Sequence, residues 1–247
     1  MKANNGIHSG GNMSNPKELP EWERVLSAGA RFHRLFPEAV MVDGTAAAVY
    51  AAHRMSSDAD HILTDLRDRF DEVLKNLESV SGWTTARVKR PVLILGSLDG
   101  IETGVRQITR AEPLESQEIS LGNETIMVPT ENEILRIKAV LILKRNATRD
   151  YLDFAALADH MGYIKTAEAL ARFDELYPQP NGASAIQQIM VQLGDPKPYD
   201  LDIPALKNYK NLDKKWHDWN NIVSVCADAV THLFAVQPDK SSPRPKF

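Results

Sequence analysis

The chain has 247 residues, a formal net charge of −4, a sequence pI of about 6.0 and a single cysteine. That length supports a hydrophobic core in one large or two small domains, while the charge excludes a globally basic nucleic-acid binder, so any RNA contact has to be local. Cys226 alone excludes an internal disulfide and an all-cysteine zinc site. Met1 to Asn15 has no apolar signal core and no run is long enough to cross a bilayer, so a cytoplasmic protein with no membrane contact is expected.

In chain order, residues 1–17 read as a flexible arm. Trp22 to Leu35 reads as a helix, Val40 to Asp43 as extended, Ala46 to His53 as a helix and Asp58 to Leu63 as a strand. Leu66, Phe70, Val73, Leu74 and Leu77 recur at helical spacing, which predicts an amphipathic helix over 64–80. Strands are expected at 84–95, 102–109, 118–121 and 124–128, with glycine-containing turns between them. After Pro129 every periodic segment is helical. A proline-rich connection over 178–202 surrounds a short helix at 183–193, and Trp216, Trp219, Val223, Cys226, Val230 and Leu233 stripe a terminal helix; residues 237–247 read as a loose tail. The pattern is α+β: a mixed-sheet domain over 18–129 followed by a helical C-terminal domain over 130–236.

Asp58 and Asp60 carry the first chemical signal. Residues i and i+2 of a strand share a face, so the two carboxylates project side by side and repel unless a hard divalent cation such as Mg²⁺ neutralises them. Upstream, Gly44 and Thr45 open a helix whose free N–H groups and dipole suit a phosphate. Taken alone, an Asp-x-Asp pair is also common on solvated surfaces.

The second signal lies in 129–154. Thr130 and Glu133 form a capping box, and Lys138 is a cation inside the apolar run of the helix that follows, where burial demands an anionic partner. Asp150 and Asp153, three residues apart, share one face of the next helix and could point back at the same place; a structural Lys–Asp ion pair is the plainer reading. Arg54, Arg106, Arg136, Arg145 and Arg149 lie in or beside these segments and could clamp phosphate. His53 and His61 match no zinc spacing, and His217 and Asp218 read as a solvated helix face.

Gly-Thr ahead of Asp-x-Asp, then Lys138-Ala139 on an apolar helix, then "RDYLDFAAL" over 149–157, together resemble the AbiEii/AbiGii (MenT-like) nucleotidyltransferase toxins of the DNA polymerase beta-like superfamily, over about residues 40–160. The resemblance implies a nucleotidyltransferase-like catalytic domain, a nucleoside triphosphate substrate, Mg²⁺, an acceptor such as a tRNA 3′ end, and a cognate antitoxin partner. Carried over, Gly44, Thr45, Arg54, Lys138 and Arg149 would bind the nucleotide, and Asp58 and Asp60 the metal. Asp150 or Asp153 would complete the catalytic set. Two departures stand out. Thr45 replaces the usual serine or glycine, and the strand 102–110 has no acid at its centre, where Gln107 holds the place of a third carboxylate without its charge. A non-catalytic nucleotide- or protein-binding member, or an antibiotic-type enzyme acting on a small hydroxylated substrate, are the alternatives.

Overall fold

The computed structural model describes residues 20–121 and 124–236, so the expected arm and tail lie outside the described residues. Helix α1 (Pro20–Leu35) leads into a short strand β1 (Val40–Met41), helix α2 (Asp43–Ala51) and strand β2 (Asp58–Leu63). Helix α3 (Phe70–Glu78) precedes the strands β3 (Trp83–Lys89), β4 (Leu93–Leu98) and β5 (Ile101–Gln107). These strands form one mixed sheet in the order β1-β2-β5-β4-β3, in which only β2 and β5 run parallel. A second ribbon pairs β6 (Ser116–Leu121) with β7 (Glu124–Pro129).

Two expected elements are shorter than their sequence patterns. The expected strand over 84–95 is a hairpin, because Pro91 cannot donate to a ladder and the chain turns there, with Val92 N–H bonded to Lys89 O. The expected helix over 64–80 starts only at Phe70, since Gln107 holds the preceding turn by donating to Thr64 O and accepting from Arg67 N–H.

Alternation along β2 divides the sheet into two faces. Ala59, His61 and Leu63 are buried behind it, where Phe32, Phe36, Leu66, Phe70, Val73 and Leu77 from α1, α3 and the turn between build a core with Ile94 and Val105. Asp58, Asp60 and Ile62 face the other way. Their face looks towards the helices that follow Pro129: α4 (Glu131–Arg145), α5 (Thr148–Met161), α6 (Tyr163–Leu170), the single turn α7 (Phe173–Leu176), α8 (Ala185–Gly194) and α9 (Trp219–Val236). Thr130 caps α4 by accepting from Glu133 N–H, as the capping box predicts. Trp216 falls in a 3₁₀ turn ahead of α9, whose buried stripe is Trp219, Ile222, Val225, Cys226, Ala229 and Leu233.

One apolar cluster runs from Val40, Val42, Ala46 and Ala47 into the interior of these helices. The residues that open the motif are therefore anchored in the helical half of the molecule as well as in the sheet.

Candidate active site

The site is assembled where β1 ends. Val42 N–H donates to Asp60 O at 2.8 Å, and Thr45 Oγ1 donates to Asp58 O at 2.6 Å, so the start of α2 is pinned against β2 at both aspartates. Asp43 holds a left-handed φ of 65°, a conformation that aspartate tolerates better than most residues and that costs on the order of 1–3 kcal/mol. This bend turns its carboxylate towards the Asp-x-Asp pair. Asp43, Asp58 and Asp60 each bring a carboxylate oxygen within 4.8 Å of the others, an all-oxygen set whose chemistry fits a hard divalent cation.

Each member has a different neighbour. Asp58 Oδ1 accepts from the Ser56 hydroxyl. Asp60 Oδ2 lies 3.2 Å from Arg106 Nη2, and burial, with the charges of Asp58 and Asp43, raises its pKa despite Arg106. Asp43 Oδ1 accepts from Lys138 Nζ at 2.7 Å with Arg145 Nη2 at 3.7 Å, and the lysine's charge holds the Asp43 carboxyl well below the usual carboxylate range. Gly104 sits opposite Asp60 in the parallel register, where a Cβ would stand 3.0 Å from Asp60 Oδ1 and 2.5 Å from Leu95 Cδ2. Its bare backbone leaves room for the aspartate to lie over β5.

Behind the carboxylates runs a buried ladder of alternating charge. Lys138 is fully buried and reaches Asp153 Oδ2 at 2.9 Å. Asp153 also accepts from Arg54 through Nε at 2.7 Å and Nη2 at 2.9 Å and lies 2.7 Å from His53 Nε2. Burial alone would raise Asp153, but Arg54 and Lys138 outweigh it and hold the carboxyl far below its ordinary value. Lys138, disfavoured by burial, is raised because Asp153 and Asp43 more than offset that cost. Asp150 is held separately, clamped by Arg145 through Nε at 2.5 Å and Nη2 at 2.7 Å.

These contacts revise several sequence expectations. Neither Asp150 nor Asp153 belongs to the carboxylate cluster, because each is saturated by its own cations; Asp153 reaches the site through Lys138 and Arg54. The carboxylate that joins Asp58 and Asp60 is Asp43, which directly precedes Gly44 and which the strand and helix periods alone do not single out. The Thr45 hydroxyl is buried and donates to the β2 backbone, and Lys138 and Arg54 are paired with carboxylates. Gly44 serves a close approach, since a Cβ there would lie 2.5 Å from Arg54 Nη2 and 2.9 Å from Ser56 Oγ. Arg149 is exposed beside the cluster, whereas Arg136 is buried against Ala169 O and Glu133. Gln107 is not in the place of a lost acid. It pairs with Leu63 on the rear-facing phase of β5, while Glu102, Gly104 and Arg106 occupy the front phase opposite Asp58, Asp60 and Ile62. Glu102 is the direct register partner of Asp58, and only the pairing of β5 with β2 reveals it.

Two clefts meet at the cluster and share Asp43, Asp58, Glu102 and Arg149 in their walls. The larger, about 720 Å³, lies between the sheet and α4, with Ile137, Val140, Leu141 and Tyr177 on its apolar side and Arg106, Lys144 and Arg145 among its cations. The smaller, about 550 Å³, is walled by Arg24, Ser57, Tyr209 and Lys210.

No family model matches the chain. It is 37% identical over 95 residues to the heme uptake protein MmpL11 of Mycobacterium tuberculosis (strain ATCC 25618 / H37Rv), covering 37% of this chain and 10% of that protein. It is 33% identical over 102 residues to the mycolic acid-containing lipids exporter MmpL11 of Mycolicibacterium smegmatis, covering 40% of this chain and 11% of the exporter. The chain thus spans about a tenth of the length of these curated relatives. Among the described residues, no helix is long and apolar enough to cross a membrane. The crystal structure of ANT(2")-Ia in complex with adenylyl-2"-tobramycin aligns with a TM-score of 0.45 and 13% identity, covering 62% of this chain and 94% of that one. An antigenic nucleotidyltransferase-like protein from Paracoccidioides brasiliensis gives a TM-score of 0.42 and 16% identity, covering 68% of this chain and 92% of that one. Likenesses of this size assign no chemistry to the chain.

Proposed function

We propose that the chain is a divalent-metal-dependent nucleotidyltransferase. The observation that carries this reading is the set of three carboxylates, Asp43, Asp58 and Asp60, gathered at the meeting of two clefts. Mg²⁺ bound by them would supply charge to orient the triphosphate and stabilise the leaving pyrophosphate. The larger cleft takes the nucleotide, its base against Val140, Leu141 and Tyr177 and its phosphates facing Arg106, Lys144, Arg145 and Arg149. The smaller cleft presents the acceptor. An acceptor oxygen attacks the α-phosphorus, the bond to pyrophosphate breaks, and the acceptor proton passes to Glu102, the exposed acid beside Asp58 that borders both clefts.

The sequence resemblance extends the proposal to the toxin component of an AbiE-type toxin–antitoxin system in phage defence, with a tRNA 3′ end as acceptor and a cognate antitoxin as partner. Arg24, Arg149 and Lys210 in the wall of the smaller cleft, where the acceptor sits, favour an anionic acceptor over a cationic drug. Incubation with Mg²⁺, each α-labelled nucleoside triphosphate and total cell RNA should move label into an RNA band. Label on a small hydroxylated compound instead would support the antibiotic-type alternative, and nucleotide binding without turnover would support the non-catalytic one.

A further inference from the structure

Of the charged groups around the carboxylate cluster, Arg106 is held differently from the rest. Arg54, Lys138 and Arg145 each make a contact of 2.7 Å or less to a carboxylate, and the side chains of Arg54 and Lys138 are at most 8% exposed. Arg106 makes one contact, at 3.2 Å, and its side chain is 48% exposed. Charge-assisted bonds are ordinarily shorter, and an exposed ion pair of this kind gains little over hydration. The strand register nevertheless places Arg106 on the same face of the sheet as Asp58 and Asp60, against Asp60, with which Lys138 makes no ion pair. It is also in the wall of the larger cleft.

We infer that Arg106 is an exchangeable counterion: it neutralises Asp60 until a divalent cation binds there, and the freed guanidinium then takes a phosphate oxygen of the nucleotide in the larger cleft. This rests on the metal-site reading above and adds a coupling to it. A cation that takes Asp60 Oδ2, the oxygen Arg106 touches, competes with the guanidinium for it, and the long, exposed contact is the one that yields. A displaced guanidinium in that cleft wall needs a new anion, and a triphosphate supplies one whose paired oxygens match the planar guanidinium fork. Arg106 therefore opposes binding of the bare cation and favours binding of the cation with its triphosphate.

The coupling gives a signature of opposite sign. Binding of Mn²⁺ alone, and of inorganic tripolyphosphate in the presence of saturating Mn²⁺, can be measured by calorimetry on the full chain and on Arg106→Gln, with Asp58→Asn as reference. Circular dichroism checks that each variant is folded. The exchange predicts that Arg106→Gln binds Mn²⁺ about threefold or more tighter and tripolyphosphate about tenfold weaker, a single lost charge-assisted contact being worth about that factor. Mn²⁺ binding that Asp58→Asn abolishes but Arg106→Gln leaves unchanged or weakens would overturn the exchange and leave the metal site standing. No Mn²⁺ binding by the wild-type chain would overturn both.

Discussion

Lys138 Nζ lies 2.7 Å from Asp43 Oδ1, joining the apolar interior of α4 to a carboxylate at the mouth of the cleft. Its other contact, to Asp153, closes a buried charge group in which each member is costly alone. Replacing Lys138 by Met should leave Asp153 and Asp43 short of a partner and cost about 3–5 kcal/mol of stability. Urea unfolding measures this. A loss under about 1 kcal/mol, typical of an exposed pair, would show that Arg54 and His53 suffice for Asp153.

Asp58→Asn should separate chemistry from folding. Removing one of three mutually repelling carboxylates should leave metal-free stability unchanged or raised, yet cost on the order of 3 kcal/mol or more in transition-state stabilisation, a loss of more than about a hundredfold in turnover. A variant that is less stable without metal yet keeps wild-type turnover would contradict the assignment.

Glu102 and Gln107 make a matched pair of opposite expectation. Glu102→Gln should lower kcat by roughly 10²–10⁴-fold with little change in nucleotide KM, as for loss of a general base. Gln107→Ala should retain activity while losing about 1–2 kcal/mol of stability, because its amide bonds to Thr64 O and Arg67 N–H fasten the turn before α3. Steady-state kinetics and thermal melts on both variants decide it, and equal kinetic losses would return Gln107 to the site.

Much of this arrangement was legible in the sequence where one period decides it. Asp58 and Asp60 lie on a strand with the expected bounds, and the capping box starts α4 where Thr130 and Glu133 place it. What could not be read is whatever depends on a second element. Pairing of β5 with β2 decides that Glu102 and not Gln107 neighbours the cluster, and nothing local to residues 101–107 states that register. Asp150 and Asp153 share a helical face as their spacing implies, but Arg145 and Arg54 reach them first. Asp43 is hidden by its backbone: it takes a φ of 65° between Val42 and Thr45, both bonded to β2, and no local sequence period states that bend.

His61 gives a pH test of the core behind the site. Its ring is buried, stacked on Phe32 with centroids 4.0 Å apart, and burial pushes its pKa from 6.5 down to about 3. The unfolded chain therefore takes up this proton first. The stabilisation from keeping the ring neutral is complete above the unfolded value and is lost as pH falls below about 6.5, by about 1.4 kcal/mol per pH unit. Denaturant midpoints from pH 7 to pH 5 should fall for the wild type, and His61→Phe should flatten that slope. An unchanged slope would place the loss in other groups.

The most direct test of the metal-dependent transfer site is an anomalous difference map from crystals grown with Mn²⁺ and a non-hydrolysable nucleoside triphosphate. The account predicts a peak about 2.0–2.3 Å from carboxylate oxygens of both Asp58 and Asp60, with the triphosphate in the larger cleft on the Arg106 side. A triphosphate bound elsewhere, or a well-ordered triphosphate with no metal at these carboxylates, would contradict it.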